Sequence, residues 1–480
     1  MKSLFQFFLK RLGVSLIFIF HSVGILYAEK GSDTTIRQVL GEQDFLNILR
    51  AYHPVVKQAG YKVQRASAAI TRAKGDFDPL LSVDFNRKRF DGTPYYSYYQ
   101  PQLTIPTWYG IELYAGTEEI GGSRINSEST LGQTSYIGVS VPILKDLLLD
   151  KRRAVLKQAK IFNRQVTAER TLLLNDLFFD GITAYWNWVR EYEVLQVINN
   201  MVKVNETRLS FVAIEYQQGS RPAIDTTEAL VQLQSFQLLE KEAFLRFQNA
   251  ALELSNYLWL ENETPYVIPE SITPDSSWKK MIGSQPAPVL DSVLQAARFQ
   301  HPKLQAYNFR IDWLRIDQQL NFQSVLPKLD VKANLLNKGY NVLSKVNTTF
   351  LENNYKYGIS FSMPLRLSEG RGAYRQAKLK IAETSLEQKL EQWQIENKVK
   401  SYFNEVLTLQ QQVLISEKML MNNERLLKGE ETRFGIGEST LFILNTRENK
   451  TLESLQKLME LKTKFYKNLA GLQWAAGVLR

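Results

Sequence analysis

Hydrophobic and polar positions along this 480-residue chain follow two different periods, and each period occurs twice. Residues 143–221 and 365–480 contain none of the 15 prolines and are rich in Leu, Gln, Glu, Lys, Arg and Ala. Because proline breaks helix interiors and these other residues favour helix, each window predicts two helices joined by a turn. A helix over residues 150–218 would be about 100 Å long. Such lengths are typical of coiled coils or supercoiled tubes.

Both windows contain a glycine turn between the two predicted helices. The first turn reads Gly219-Ser220-Arg221-Pro222 and the second reads Gly437-Glu438-Ser439-Thr440. Both glycines suit a left-handed helix C-terminal cap, and proline suits the first position of a helix. Ser439 is predicted to be the N-cap of the helix after the second turn. These features predict tight hairpins of antiparallel helices.

The remaining segments, residues 79–142 and 327–364, alternate apolar and polar positions. The alternating apolar residues are Leu81, Val83 and Phe85; Ile111, Leu113 and Ala115; Ile137, Val139 and Val141; Leu329, Val331, Ala333 and Leu335; and Tyr357, Ile359, Phe361 and Met363. This period is typical of the strands of a membrane β-barrel, with lipid on one face and water on the other. An ordinary half-buried hairpin alternates in the same way, so this alternative stays open. The tyrosines of residues 95–114, together with Trp108, favour a girdle at the membrane interface.

The two halves of the chain share one plan. Gln158-Ala159-Lys160 returns as Gln376-Ala377-Lys378 and Tyr216-x-x-Gly219 returns as Phe434-x-x-Gly437, both 218 positions later, and His53-Pro54 returns as His301-Pro302 after 248 positions. We therefore predict two internal repeats, at residues 41–260 and 290–480, each with a helix, strands and a long helical hairpin. Five prolines mark residues 261–289 as a Pro-rich linker between the repeats.

The N-terminus and the charge limit the possible classes of protein. Lys2, Lys10 and Arg11 precede the apolar run 12–20, and Ala28 offers a cleavage point, so residues 1–28 are predicted to be a signal peptide. The alternative, a membrane anchor, needs a run of about 20 apolar residues. The chain has no cysteine, which excludes disulfides and a lipidated cysteine. The net charge of +10 is spread along the helices without a basic tract, so no nucleic-acid partner is predicted.

The number of strands bears on assembly. Antiparallel strands that leave and return on one side of a membrane are even in number, so two strands per repeat, four per chain, are predicted. One of the three candidate stretches of the first repeat is then an extension. Single-chain barrels need at least about eight strands, and open edges in lipid are costly. The chain is therefore expected to oligomerise, and this argument leaves both two copies with eight strands and three copies with twelve.

The signal peptide, the paired repeats and the two turn motifs together resemble the TolC-like outer-membrane efflux protein family, over about Phe45 to Leu479. The resemblance implies a mixed α and β fold: a homotrimer with a twelve-stranded transmembrane β-barrel in outer-membrane lipid, continued by a long α-helical periplasmic tunnel. It implies an exit duct in the cell outer membrane that passes small molecules from an inner-membrane transporter and a periplasmic adaptor (membrane fusion) protein. The alternatives are the exit duct of a type I protein secretion system and, in a different class, a pore-less periplasmic coiled-coil scaffold.

The resemblance also points to the hairpin tips. The residues expected to contact the adaptor are Tyr216, Gly219, Arg221, Phe434, Gly437 and Ser439. In the family, aspartates six and nine positions after the second turn glycine ring the closed end, but Ile443 and Thr446 occupy these positions here. The charged residues that we expect at the periplasmic gate instead are Asp225, Glu228, Arg447 and Glu448. The alternative for these four residues is solvated surface charge without a gating role.

No catalytic or metal-binding constellation stands out in the sequence. Of the three histidines, His21 lies in the predicted signal peptide, and His53 and His301 precede prolines, where a polar side chain can begin a helix. No glycine-rich phosphate loop or nucleophile–base motif is present. We therefore expect no enzyme activity, no bound cofactor and no metal site.

Overall fold

Eight α-helices and eight β-strands make up most of residues 39–280, 288–339 and 354–479, which are the residues that the computed structural model describes. The helices are α1 (Glu42–Tyr52), α2 (Pro54–Gly75), α3 (Lys151–Gln217), α4 (Ala223–Ser255), α5 (Leu290–Gln300), α6 (Pro302–Gln323), α7 (Ser368–Gly435) and α8 (Leu441–Ala475). The strands are β1 (Val39–Leu40), β2 (Leu80–Phe90), β3 (Thr93–Pro106), β4 (Glu112–Gly121), β5 (Gly132–Pro142), β6 (Thr273–Pro274), β7 (Lys328–Lys338) and β8 (Tyr355–Ser362). The predicted signal peptide, residues 1–28, lies outside the described residues.

Two long helical hairpins dominate the structure. Helix α3 has 67 residues and α7 has 68 residues, and each is therefore about 100 Å long. Helix α3 turns back into α4 at Gly219, and α7 turns back into α8 at Gly437. The helix–turn–helix predicted for residues 365–480 is confirmed. The window 143–221 contains α3 and its turn, whereas α4 begins after Pro222, outside the window.

A pair of shorter helices precedes the main strands in each half: α1 and α2 in the first, α5 and α6 in the second. Helices α1 and α5 both have 11 residues, and α2 and α6 both have 22 residues. The Nδ1 atom of His53 accepts a hydrogen bond of 3.2 Å from the Val55 N–H, and His301 does the same with Lys303. The helix-start role predicted for both histidines is confirmed, because each caps the helix that begins at the following proline.

Six strands form one antiparallel sheet in the order β2-β3-β4-β5-β7-β8. The sheet has two strands more than the four that were predicted for each chain, because all three alternating stretches of the first half are strands and β3 is a fourth. The number remains even, as the topology argument required. Strand β3 escaped prediction because it contains Pro94, Pro101 and Pro106, and proline cannot donate to a strand ladder. The β3–β4 pairing steps over Pro101, since Tyr99 pairs with Glu119 and the next pair is Gln102 with Gly116.

The helices pack in two layers of four. In the layer beside the strands, α2 contacts α3, α3 contacts α6, and α6 contacts α7. In the layer beside the hairpin turns, α4 contacts α3, α3 contacts α8, and α8 contacts α7. Like the sheet, each layer therefore begins with an element of the first half and ends with an element of the second half.

The main hydrophobic core lies where the middle of α3 meets α1, α4 and α8. Trp188 and Phe45 are fully buried there, and the ring of Trp186 stacks on Tyr466 with centroids 4.4 Å apart. The described part of the Pro-rich linker joins this core through Trp278, whose carbonyl accepts a hydrogen bond of 2.8 Å from the Tyr466 hydroxyl. This part of the linker therefore packs along the helical body.

Candidate functional site

One face of the six-stranded sheet carries an apolar row, while the row two residues farther along the same face contains Thr117, Ser135 and Asn337. Strand register places one row of residues side by side across all six strands: Leu81, Leu103, Ala115, Ile137, Leu335 and Tyr355. Four of these side chains are exposed, from Leu335 at 36% to Leu81 at 70%, whereas Leu103 and Ala115 are partly buried. An apolar belt that crosses every strand is the outer surface expected of a membrane β-barrel.

The opposite face of the sheet is mostly polar. The adjacent row contains Thr104, Tyr114, Asn334 and Lys356 on successive strands, with Gly138 between Tyr114 and Asn334. A Cβ atom at Gly138 would clash with the Asn334 amide oxygen, so glycine lets this neighbouring side chain lie across the strand. The two faces together fit a wall between lipid and water.

The base of the sheet is fastened to the helices. The ring of Trp108, in the β3–β4 turn, stacks on Phe77 after α2 with centroids 4.1 Å apart. The Glu112 carboxylate, at the start of β4, pairs with the Arg152 guanidinium at 2.7 Å. These contacts fix the β3–β4 hairpin at the same level as the first turns of α3.

The two helical hairpin turns have the same backbone geometry. Gly219 has φ +77° and Gly437 has φ +82°, and no heavy atom would lie within 4 Å of a Cβ at either position. Glycine is therefore required by the left-handed backbone and not by crowding. The predicted N-cap Ser439 is wrong by one residue: Thr440 accepts the capping bond from the Ile443 N–H, at 3.5 Å, while Ser439 donates to Glu430.

Arg221 joins the two turns within one chain. Its guanidinium lies 4.0 Å from the centre of the Phe434 ring and donates a hydrogen bond of 3.3 Å to the Phe434 carbonyl. The same group pairs with Glu215, and with Asp225 at 3.4 Å. The structure therefore brings together two of the predicted tip residues, and the tip residue Tyr216 remains 47% exposed.

The four residues predicted at the gate occupy different environments. Asp225 faces Arg221 in its own turn, and the Glu228 carboxylate accepts a hydrogen bond of 3.4 Å from Asn445. Arg447 is partly exposed, and no ion pair of its side chain is seen among the described residues. Glu448 is 1% exposed and lies inside the chain.

Glu448 belongs to a buried polar network between α3 and α8. The Arg208 guanidinium donates to its two carboxylate oxygens at 2.7 and 3.1 Å, and the Asn205 amide donates to it at 3.1 Å. Arg208 also donates to Asn445 at 3.5 Å, which links the network to Glu228. Sequence reasoning missed Arg208, although Arg208 precedes Gly219 and Glu448 follows Gly437 by the same 11 positions. Equal distance from the two turns was the available signal.

The described residues offer little for a metal or a cofactor. They contain no group of three or more His, Asp or Glu placed to hold a metal ion. Burial lowers the pKa of His301 to about 4, so this imidazole is neutral at pH 7 and serves as a hydrogen-bond acceptor. None of the described helices combines the length and the apolar character of a membrane-spanning helix.

With its amphipathic sheet and two helical hairpins about 100 Å long, the chain has the fold of solved outer-membrane channels. The chain superposes on the Campylobacter jejuni CmeC outer membrane channel with a TM-score of 0.63 and 14% identity, over 91% of this chain and 86% of that chain. The open state of the Neisseria gonorrhoeae MtrE outer membrane channel gives a TM-score of 0.63 and 15% identity, over 93% of both chains. The Vibrio cholerae outer membrane protein VceC gives 0.62 and 14%, over 91% of this chain and 96% of that chain.

No protein-family model and no curated protein matches the sequence. At 14–15% identity, the structural similarities establish the fold. The predicted resemblance to TolC-like outer-membrane factors is confirmed at this level. These structural neighbours are channel proteins and not enzymes.

Proposed function

We propose that three copies of this chain form a channel-tunnel that serves as the exit duct of a tripartite efflux system in the outer membrane. The observation that carries the proposal is the apolar row from Leu81 to Tyr355, which crosses a sheet mounted on helices about 100 Å long. The sheet would lie in outer-membrane lipid, and the hairpins would extend into the periplasm.

Open flanks support assembly from several copies. Among the described residues, strands β2 and β8 each pair with a strand on one side, and an unpaired edge in lipid is costly. Because the two edges differ, one copy's β8 would meet the next copy's β2, and such head-to-tail contacts close into a ring.

The helices present apolar side chains along the same flanks. On α4, exposed residues recur at every seventh position, a spacing typical of helix–helix seams: Ile224, Val231, Leu238, Leu245 and Leu252. All five are more than half exposed in the single chain. On the other outer helix, α7, Leu379, Leu386 and Trp393 repeat at the same interval and are also exposed. These three α7 residues lie closer to the sheet than α4 does; nearer the turn, at the level of α4, α7 exposes Ile415 and Leu426. A second copy of the chain is therefore the occupant that offers apolar side chains to both flanks.

The hairpin tips suit a protein partner. Besides Tyr216, the tips expose Ile436, at 66%, and Phe442, at 68%. Apolar side chains on a rigid turn are typical of an interaction surface. We propose that they contact a periplasmic adaptor, which would join the duct to an inner-membrane transporter of small molecules, and that Asp225 and Arg447 contribute charged contacts where the tips meet.

Assembly is tested with Leu238→Glu on α4. A charge in the centre of the seam should convert the detergent-extracted trimer to monomers, measured by mass, with the helical content unchanged because Leu238 is 63% exposed in the chain. Gln237→Glu adds the same charge a quarter turn around the helix and should leave the trimer intact. A wild-type protein that is a stable monomer with its sheet intact would contradict the proposal.

Location and partner need separate tests. The protein should be found in outer-membrane fractions as heat-modifiable oligomers, whereas a pore-less scaffold would remain in the periplasmic fraction. A photo-crosslinker at Ile436 should capture an adaptor protein. Labelling of this position from outside intact cells would contradict the proposed orientation.

A further inference from the structure

We infer that all six strands of each chain lie in the channel wall, so that three chains close a barrel of eighteen strands as wide as the helical tunnel beneath it. This inference rests on the proposed function for the number of copies. The number of strands per chain is taken from the sheet itself. The sheet contains the β3–β4 hairpin in addition to the four strands that the family resemblance implied.

The β3–β4 hairpin is part of the sheet and not an appendage to it. Strand β3 pairs with β2 through residues 93–104, and β4 pairs with β5 through residues 112–120. The apolar row continues through the hairpin, since Leu103 and Ala115 stand between Leu81 and Ile137. A hairpin that folded over the outside of a barrel would interrupt this row.

The hairpin also has the length and the anchor of a wall element. A tilted strand needs about 9–11 residues to cross a membrane. Strand β4, with 10 residues, and β3, with 14 residues, are both long enough. At its base, Trp108 stacks on Phe77, and Glu112 pairs with Arg152. The hairpin therefore rises from the same level of the helical body as the neighbouring strands.

Six strands per chain also match the helical wall in width. Strands lie about 4.8 Å apart and tilt by about 40° in barrels, so six strands span an arc of about 38 Å and four span about 25 Å. The helical layer below contains four helices per chain, which at about 9–10 Å each also span about 38 Å. At this tilt, six strands per chain span the same arc as the four helices of the layer below.

The consequence concerns passage through the duct. A barrel of eighteen strands belongs to the size range that leaves an aqueous channel. Its lumen would be lined by the polar row that includes Thr104, Tyr114 and Lys356. The strand barrel is then not the narrowest part, and the size of the transported molecules is limited at the helical tips.

The absence of native cysteines allows a direct test by single-cysteine labelling. On β3, Gln100→Cys lies on the polar face and Leu103→Cys lies on the apolar face. On β7, which is a wall strand under either count, Lys332→Cys and Val331→Cys are the matched controls. Trimers in lipid vesicles are treated with a membrane-impermeant maleimide, which reports contact of the cysteine with water. In a second measurement a fluorophore is coupled to the cysteine, and a quencher dissolved in the lipid reports contact with lipid.

We expect Gln100→Cys to react with the maleimide like Lys332→Cys, and the probe at Leu103→Cys to be quenched by lipid like the probe at Val331→Cys. Aqueous labelling of both β3 positions, without lipid quenching, would overturn the inference and leave a wall of four strands per chain. If Leu103→Cys does not assemble, Ile105→Cys on the same face replaces it.

Electron cryo-microscopy of the oligomer in lipid gives an independent count. Eighteen strands in a ring of three supports the inference, and twelve strands in a ring of three overturns it. A ring of two chains with twelve strands would contradict the proposed trimer but would retain six strands per chain. The two failures are therefore distinguishable.

Discussion

Removal of the Glu448 carboxylate tests the buried network between the two helical hairpins. In Glu448→Ala, the Arg208 guanidinium loses its two short hydrogen bonds, and its side chain is only 10% exposed to water. Asn205 loses the bond of 3.1 Å that its amide donates. The substitution therefore leaves an uncompensated charge among packed helices.

Breaking a buried ion pair from one side costs about 3–5 kcal/mol. Since each 1.4 kcal/mol is a factor of about ten, amide hydrogens of α3 and α8 near the network should exchange roughly 10²–10⁴ times faster. Native-state hydrogen exchange with mass spectrometry measures this change by segment. Peptides near the sheet, far from the network, should keep their wild-type rates.

The same helix offers a matched control. Glu460 on α8 pairs with Lys457 at 3.0 Å, but both side chains are about half exposed. Glu460→Ala should therefore cost at most about 1 kcal/mol and change exchange by less than tenfold. The double variant Arg208→Met/Glu448→Met should recover much of the loss, because apolar residues of similar volume often replace a buried pair at little cost. Equal exchange in the Glu448 and Glu460 variants would refute this reasoning, as would a double variant as unstable as Glu448→Ala.

Three further predictions concern other elements. Burial lowers the pKa of His301 from 6.5 to about 4, so the unfolded chain binds a proton first as the pH falls from 7 to 4, and the free energy of unfolding decreases by about 3 kcal/mol. His301→Asn keeps the helix cap and should lose less stability between pH 7 and pH 4, measured by denaturant titration at both pH values. A variant with the wild-type pH dependence would be contrary evidence. Gly437→Ala should destabilise the second hairpin by about 1–2 kcal/mol, because alanine is strained in the left-handed backbone, whereas Gly372→Ala, inside α7, should stabilise it by about 0.5–1 kcal/mol. Equal midpoints of denaturant unfolding for the two variants would argue against the strain. Asp225→Ala or Arg447→Ala should raise single-channel conductance or antibiotic leakage if these charges hold the tips together, and unchanged conductance in both, with normal assembly, would leave only surface charge.

The helices could be predicted from the sequence because their signals are local and continuous. Proline is absent over more than 70 residues in each window, and glycine marks each turn. The helix starts at Pro54 and Pro302 were visible because each follows a histidine at an equivalent position. Boundaries were less exact, as the N-cap at Thr440 in place of Ser439 shows. Neighbouring hydroxyl residues offer the same capping chemistry, and the backbone decides between them.

The number of strands could not be predicted, because β3 is stabilised by pairing with β2 and β4 and its own sequence does not favour a strand. Its three prolines argue against a central strand, yet Pro101 falls where the β3–β4 pairing is interrupted, and Pro106 ends the strand. The buried network was missed for a similar reason. Arg208 and Glu448 are 240 residues apart, and only the packing of α3 on α8 makes them neighbours.

The joints between hairpins differ within a chain and between chains. Within the chain, α3 and α8 are tied by the buried Arg208–Glu448 pair, and Arg221 fastens the first turn to Phe434 of the second. Between copies, the proposed seam of α4 is formed by exposed aliphatic side chains, whose attraction does not depend on direction. If α3 and α8 slid past each other, specific hydrogen bonds within the chain would break. If neighbouring copies slid past each other along the seam of α4, apolar side chains would only exchange one apolar neighbour for another. Opening of the tips should therefore occur by movement between chains, with the two hairpins of each chain moving as one unit.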